Sequence, residues 1–464
     1  MKTRSQTENK AGSGALDMLD GPLLRNILLF AAPLIASGIL QQSFNAADVV
    51  IIGRYVNRQA LAAVGSNGPI INLIITLFVG LSVGVNVVIA HYIGRRDERG
   101  VRNSVSTSAV LAVASGLFLL IVGQLAARPM LEVLGTPHDV LEMATIYLRI
   151  FFLGMPFLMI YNFGAAILRS IGDTRRPFYS LLAAGCVNIG LNVLFVAGMG
   201  MTVDGVAIAT VTANGVNAAI TVYFLMREHG AIRLDLKTLK ITRIELKKIL
   251  SIGFPAGLQG MVFSISNVFI LSAINSFGSE ASAGSAAALN YEIYSYFIMT
   301  AFVQATVAFT SQNYAAGNID RCRRIFRLNM LMSVVGTVLF SLLVLWRRDL
   351  FISLFSTDPE IYPYASVRIT YVLVLQFIAC SYEISGAAMR GLGYSMTPTV
   401  LTIFGTCVLR LLWVWMLPRM GGGFRELMII YPVSWAITGS AVYLAYLVVR
   451  RRAYAVYDKN TPTG

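Results

Sequence analysis

Asp48 is a carboxylate inside a stretch that otherwise has the composition of a membrane span, Pro33 to Arg54, PLIASGILQQSFNAADVVIIGR. Ser37, Gln41, Asn45 and Asp48 stand at i, i+4, i+8 and i+11, which on a helix of 3.6 residues per turn makes one polar stripe on an apolar rod. An ionised Asp at the centre of a span costs roughly 3 kcal/mol, so intramembrane carboxylates face bundle interiors or wet cavities and mark ion or substrate pathways. The chemistry such a group does is to take up and release a cation. Asp48 lies about one turn inside the end marked by Gly53 and Arg54. An interfacial acid reaching for headgroups is therefore the competing reading.

No other pattern offers chemistry. Cys186, Cys322, Cys380 and Cys407 share no CxxC spacing and read as small buried hydrophobes, neither a disulfide nor a metal set. His91, His138 and His229 are scattered, and no HExxH, GxSxG or GxxxxGK[ST] pattern occurs. Catalysis has nothing to stand on, and no cofactor is expected.

The elements that must position Asp48 are set by composition. With 464 residues, 56% hydrophobic and 13% charged, and a mean hydropathy of +0.68, the chain falls outside the soluble range and inside that of polytopic membrane proteins. The first twenty residues, with Lys2, Arg4, Glu8, Lys10, Asp17 and Asp20, hold no apolar core, so no cleavable signal peptide is expected and the first span serves as targeting signal. A net charge of +14 raises nucleic acid as a partner. Its distribution argues for cytoplasmic loops instead.

Runs long enough to span fall at 27–52, 61–93, 104–127, 141–168, 177–200 and 203–226, then at 246–275, 284–315, 325–346, 364–391, 396–417 and 424–449. Arg227 to Lys248, with seven basic and three acidic residues, is the longest polar stretch between them. The expected organisation is a tail over 1–26, a six-helix lobe over 27–226, a linker over 227–248, a second six-helix lobe over 249–449 and a tail over 450–464. Arginine clusters follow the second, fourth, eighth and twelfth spans. Both termini are therefore expected in the cytoplasm, with the protein integral to the inner membrane.

The two sixes repeat. Pro33 in LLFAAP matches Pro255 in LSIGFP at an offset of 222, Gly94 matches Gly317 at 223, and LRSIGDTRRP (Leu168 to Pro177) matches MRGLGYSMTP (Met389 to Pro398) without a gap at 221. Repeats of six spans share one orientation and are expected to leave a cleft between lobes, an architecture of transporters. Ser37, Gln41, Asn45 and Asp48 map onto Gln259, Phe263, Asn267 and Ile270, so the second stripe has lost its acid. Glu383, seven residues before Arg390, is a candidate substrate-facing anion. Glu292 reads as interfacial.

Pro33, Gln41 and Asp48, LRSIGDTRRP, NIGLNVLF, GVAIAT and the Gly94 region, set in a 6+6 layout, together resemble the multidrug and toxic compound extrusion (MATE) family across essentially the whole chain. The resemblance implies an all-α polytopic membrane protein whose twelve transmembrane helices form two six-helix lobes related by an internal repeat, arranged as a V. It implies an antiporter that exports organic cations or other amphiphiles in exchange for protons or sodium. In relatives the first-helix Asp works with residues of helices 5 and 6, here Asn188, Asn192 and Thr210, with Gln41 in the same stripe. Asn192 departs from the pattern, since many relatives carry a second carboxylate there. Asn188 and Asn192 at i and i+4 share one face, and with Asp48 they offer oxygen ligands if Na⁺ is the coupling ion. Interhelical glue is the plainer reading of the same amides. Tyr147, Met155, Tyr161 and Glu383 are candidate substrate contacts, although lipid-facing packing explains abundant Met and aromatic residues equally well. The expected partners are small amphiphilic molecules and membrane lipids, with no nucleic acid, and the expected state is a monomer. The alternative is a flippase for lipid-linked precursors, which calls for a cationic central cavity. The basic residues here are expected mainly at cytoplasmic edges.

Overall fold

In lipid, a backbone segment must satisfy its own polar groups, which a helix does and an isolated strand does not. The apolar runs accordingly become helices. In the structure, a computed structural model that describes residues 16–458 apart from 57, 134 and 355–357, these are α1 (Leu23–Tyr55), α2 (Arg58–Gly94), α3 (Glu98–Val133), α4 (His138–Leu153), α5 (Met155–Ser170), α6 (Arg175–Gly198) and α7 (Val203–Met226). The second set is α8 (Arg243–Asn275), α9 (Ser279–Ala315), α10 (Ile319–Trp346), α11 (Tyr362–Gly391), α12 (Met396–Arg419) and α13 (Phe424–Tyr457). Among the described residues eleven helices are long and apolar enough to cross a membrane alone, and α4 with α5, bent by 46°, makes a twelfth if the pair is one span. Of the expected tails, residues 1–15 and 459–464 lie outside the described residues.

The single run expected over 141–168 is therefore broken. Pro156 has no N–H to continue the ladder, and Gly154 ends α4 with its amide turned back on Phe151 O and Phe152 O. The repeat-equivalent place in α11, 221 residues on, is also irregular: a π segment at Ile369–Leu373 is followed by a 3-10 segment at Val374–Ala379. The repeat is metrically close. α6 and α12 begin at Arg175 and Met396, and α7 and α13 at Val203 and Phe424, again 221 apart.

The helices form two compact units. One comprises residues up to Gly21 and Ala32–Phe254, and the other Pro22–Ala31 and Pro255 onward. α1 and α8 thus each divide between units within two residues of Pro33 and Pro255, the internal prolines of these helices. In the first unit α6 packs on α7, and α5 lies against α2, α3 and α7. In the second, α9 packs on α10 and α11, and α11 on α13. The outer surfaces carry large apolar side chains such as Leu125, Leu339 and Leu444, between 62% and 76% exposed, as a lipid-facing surface requires. Of the four cysteines, three are buried as expected, but Cys186 is exposed on α6.

Residues 227–248 are tied to the first unit. Ser106 Oγ donates to Lys240 O and accepts from Lys240 N, Thr107 Oγ1 accepts from Thr242 N, and Tyr92 OH bonds Glu245 while accepting from Lys248 Nζ. Close helix approach fixes this corner. A Cβ on Gly84 of α2 would lie 2.3 Å from Ile249 O and 2.8 Å from Gly253 N of α8. Small residues at such crossings let backbones meet. Gly84→Ala should therefore destabilise the purified protein by about 1–3 kcal/mol, although Ala is the better helix former. Gly68→Ala, whose Cβ would meet nothing within 4 Å, should not. Thermal unfolding in detergent measures both, and equal midpoints for the two variants would contradict the crossing.

Candidate functional site

α1 presents its stripe, but only part of it reaches the first unit's interior. Ser37 Oγ returns to Pro33 O at 2.8 Å, the back-bonding that a serine makes within a helix, while Gln41 and Asn45 are exposed. Gln41, expected with the coupling residues, makes no hydrogen bond to them. Asp48 is half-buried, and it is brought against α6. Asn192, fully buried, donates from Nδ2 to Asp48 Oδ1 at 2.5 Å and to Asn188 Oδ1 at 3.2 Å. Asn188 Nδ2 in turn lies 3.5 Å from Thr210 Oγ1 of α7, whose proton goes to Val206 O at 3.0 Å. Thus four of the five sequence-predicted residues form one relay across three helices.

The relay has a direction. Turned over, the Asn192 amide would set its carbonyl against the Asp48 carboxylate, so the donor faces the acid and Asn192 Oδ1 is left buried without a partner. A second carboxylate at this position would repel Asp48 unless protonated, whereas the amide donates to it. The cluster therefore carries a single formal negative charge and an unspent amide oxygen. That is the donor set a proton or a sodium ion requires: one anion and neutral oxygens from separate helices. Among the described residues no group of three or more His, Cys, Asp or Glu forms a conventional metal site.

Of the candidate substrate contacts, Tyr147, Met155 and Tyr161 lie in the first unit and Glu383 in the second. Tyr147 is 7% exposed, stacks on Phe151 with centroids 6.2 Å apart and lies within Coulombic range of Asp48. Met155 is buried at the α4/α5 break, and the Tyr161 hydroxyl bonds Asn217 beside Arg169. Glu383 is half-buried in the second unit, near Arg390 and Tyr296.

The second stripe is not inert. Gln259, the repeat mate of Ser37, accepts from Arg390 Nη2 at 2.6 Å. Phe263, the mate of Gln41, lies against the guanidinium of Arg410 at 5.5 Å. Ile270, the mate of Asp48, is buried. Glu292, expected at an interface, is instead 7% exposed and held by Arg368: Nε to Oε1 at 2.6 Å and Nη2 to Oε2 at 2.9 Å, with Ser285 Oγ accepting from Nη1. Arg368, Arg390 and Arg410 are all buried. Sequence reasoning missed Arg368 and Arg410. Both stand alone in apolar runs, Arg410 in VLRLLWVW, and that isolation was the available signal.

Six apolar spans repeated once, with a half-buried acid and its amide relay in one half, define a polytopic membrane protein of transporter architecture. The MatE family profile matches residues 33–194 and 255–416, one match per repeat, and the chain belongs to that family of multidrug efflux transporters. It is 28% identical over 391 residues to the probable multidrug resistance protein YoeA of Bacillus subtilis, covering 82% of this chain and 84% of that one. It is 26% identical to the FAD transporter of Shewanella oneidensis, covering 93% and 96%. The fold matches an outward-facing multidrug resistance MATE family transporter of the MOP superfamily with a TM-score of 0.88 at 23% identity, over 97% of this chain and 99% of that one.

The bidentate pair in the second unit is open to test. Arg368→Met strands a buried carboxylate, so the protein should lose about 3–5 kcal/mol of stability. The double variant with Glu292→Met, which removes both charges, should recover most of it. Unfolding in detergent reads this, and no recovery in the double variant would mean that packing, not charge, holds the pair in place.

Proposed function

We propose that the protein is a secondary active antiporter of the cytoplasmic membrane that exports organic cations and other amphiphilic compounds in exchange for protons or sodium, by rocking of its two lobes. Asp48 is the coupling group. The observation that carries this is the relay itself: one carboxylate at membrane depth, bonded to a neutral amide, with a free amide oxygen beside it. Unneutralised, such a charge is costly, and a proton or Na⁺ relieves that cost. Each exchange then moves charge through the membrane field, worth about 2.3 kcal/mol per elementary charge per 100 mV. If the ion is sodium, Asp48, Asn188, Asn192 and Thr210 supply its oxygens. The cargo need not be cationic, since one relative is named an FAD transporter. The family match favours this reading over the flippase.

Asp48→Asn keeps the volume but cannot change charge. It should reduce gradient-driven efflux of ethidium from everted vesicles to background at normal membrane abundance, while Ile270→Asn at the symmetric place leaves most of it. Imposing Na⁺ and pH gradients separately identifies the ion. Full activity in Asp48→Asn would sink the mechanism.

In this reading both termini and residues 227–248 face the cytoplasm, which the positive charge of the even-numbered loops supports. Thr238 is exposed in that segment, so a cysteine there, in a background with Cys186 replaced by Ser, should react with an impermeant maleimide only after the membrane is opened. Labelling in intact cells would reverse the topology.

A further inference from the structure

The repeat-equivalent of the acid site in the second unit is built around a cation. Arg410 follows by one residue the repeat mate of Asn188, Phe263 is the mate of Gln41, and Tyr431 is the mate of Thr210. The guanidinium carbon of Arg410 lies 4.5 Å from the Tyr431 ring centroid, 5.5 Å from Phe263 and 5.7 Å from Trp435. Its Nε donates to Ser434 Oγ at 2.9 Å, the side chain is 1% exposed, and Nη2 is buried with no hydrogen-bond partner. Among the described residues it has no ion pair with a carboxylate. Glu292, the buried acid of this unit, is spent on Arg368, which shares the Tyr431 ring from 5.7 Å.

Three rings attract a guanidinium through their quadrupoles but do not neutralise it. A planar fork with an unspent donor is the geometry that takes an oxyanion side on. Phe263 is the most exposed of the three rings and stands on the α8 face equivalent to the α1 face that carries Asp48. The cage is therefore least closed on the Phe263 side. α12 also carries a π segment, Ile403–Val408, directly before the helical turn of Arg410, as α6 carries one, Val193–Gly198, directly after Asn192. Such segments loosen the ladder locally and are frequent at functional sites.

We propose that Arg410, caged by Phe263, Tyr431 and Trp435, is a binding site for the oxyanion group of an amphiphilic anion, whose apolar body lies on the rings. The two repeats thus hold opposite charges at equivalent places: the first binds the coupling cation and the second an anionic cargo group or lipid headgroup. This rests on the transporter reading above, but it is tested by equilibrium binding with no gradient, so a failure of coupling at Asp48 leaves the result unaffected.

The probe is dansylglycine, with its neutral amide as isostere and rhodamine 6G as cation, bound to the full chain in phosphatidylcholine nanodiscs. The wild-type protein should bind the carboxylate tighter than the amide by on the order of ten-fold or more, the worth of a charge-assisted pair. Arg410→Gln should erase that preference and leave rhodamine 6G binding within about two-fold, a change too small for a lost ionic contact. Arg410→Lys should retain part of the preference. Displacement of dansylglycine by phosphatidylglycerol in the disc identifies a headgroup as occupant, and its absence a free organic anion. Equal wild-type affinity for acid and amide overturns the proposal whether or not the variants fold, and so does an equal loss of all three probes in Arg410→Gln.

Discussion

A charge placed in hydrocarbon must be answered from within the protein, and the hydrogen bond from Asn192 to Asp48 is the answer given in the first unit. Much else follows from it. Because Asn192 spends both amide hydrogens on Asp48 and Asn188, its own oxygen is left bare, and Asn188 must turn its amide toward Thr210. Three helices are thereby held in register by one acid. The register in turn explains why α6 admits Gly185 where Phe44 of α1 presses in, since a Cβ there would overlap that ring.

The second unit answers the same constraint with different chemistry. Its charges are mostly cationic, and it satisfies them in three ways: Arg368 by a bidentate acid, Arg390 by the carbonyl of Gln259, and Arg410 by three rings and a serine. A duplicated scaffold fixes where helices start and where they bend, but not the sign of the charge at a given site. Divergence in sign is inexpensive for the fold because each site is closed by its own neighbours. The glycine crossings and the irregularities at the α4/α5 break and in α11, by contrast, involve backbone, and both repeats retain the irregularity.

How much of this was legible in the sequence varied with the physical cause. Spans were readable because apolar length is a one-dimensional signal, and α7 begins and ends where its run of residues does. The relay was readable through the family resemblance, which singled out Asn188, Asn192 and Thr210; the one-turn spacing of the two Asn only agreed with it. The break at Gly154 was not, since the apolar pattern continues through Met155 and Pro156 and nothing in composition separates a tolerated proline from a bend. Glu292 was misplaced for a related reason. Its distance from the helix start suggested an interface, whereas its environment is set by Arg368, 76 residues away. Gln41 shares a stripe with Asp48 but is exposed and stands outside the relay.

Arg410 shows why pairing by sequence alone stops short. The repeat map compares like with like, so a lost acid at Ile270 registers as a vacancy. The charge of the second unit comes from another helix, α12, one residue out of step with the mate of Asn188, and its cage from α13 together with Phe263 of α8 itself. Volume, not alignment column, is what a charge competes for. A carboxylate restored at position 270 would enter a unit that already buries Arg368, Arg390 and Arg410. The two units thus differ in the sign of the charge they hold at matching places, an acid bonded to an amide in the first and a guanidinium caged by rings in the second.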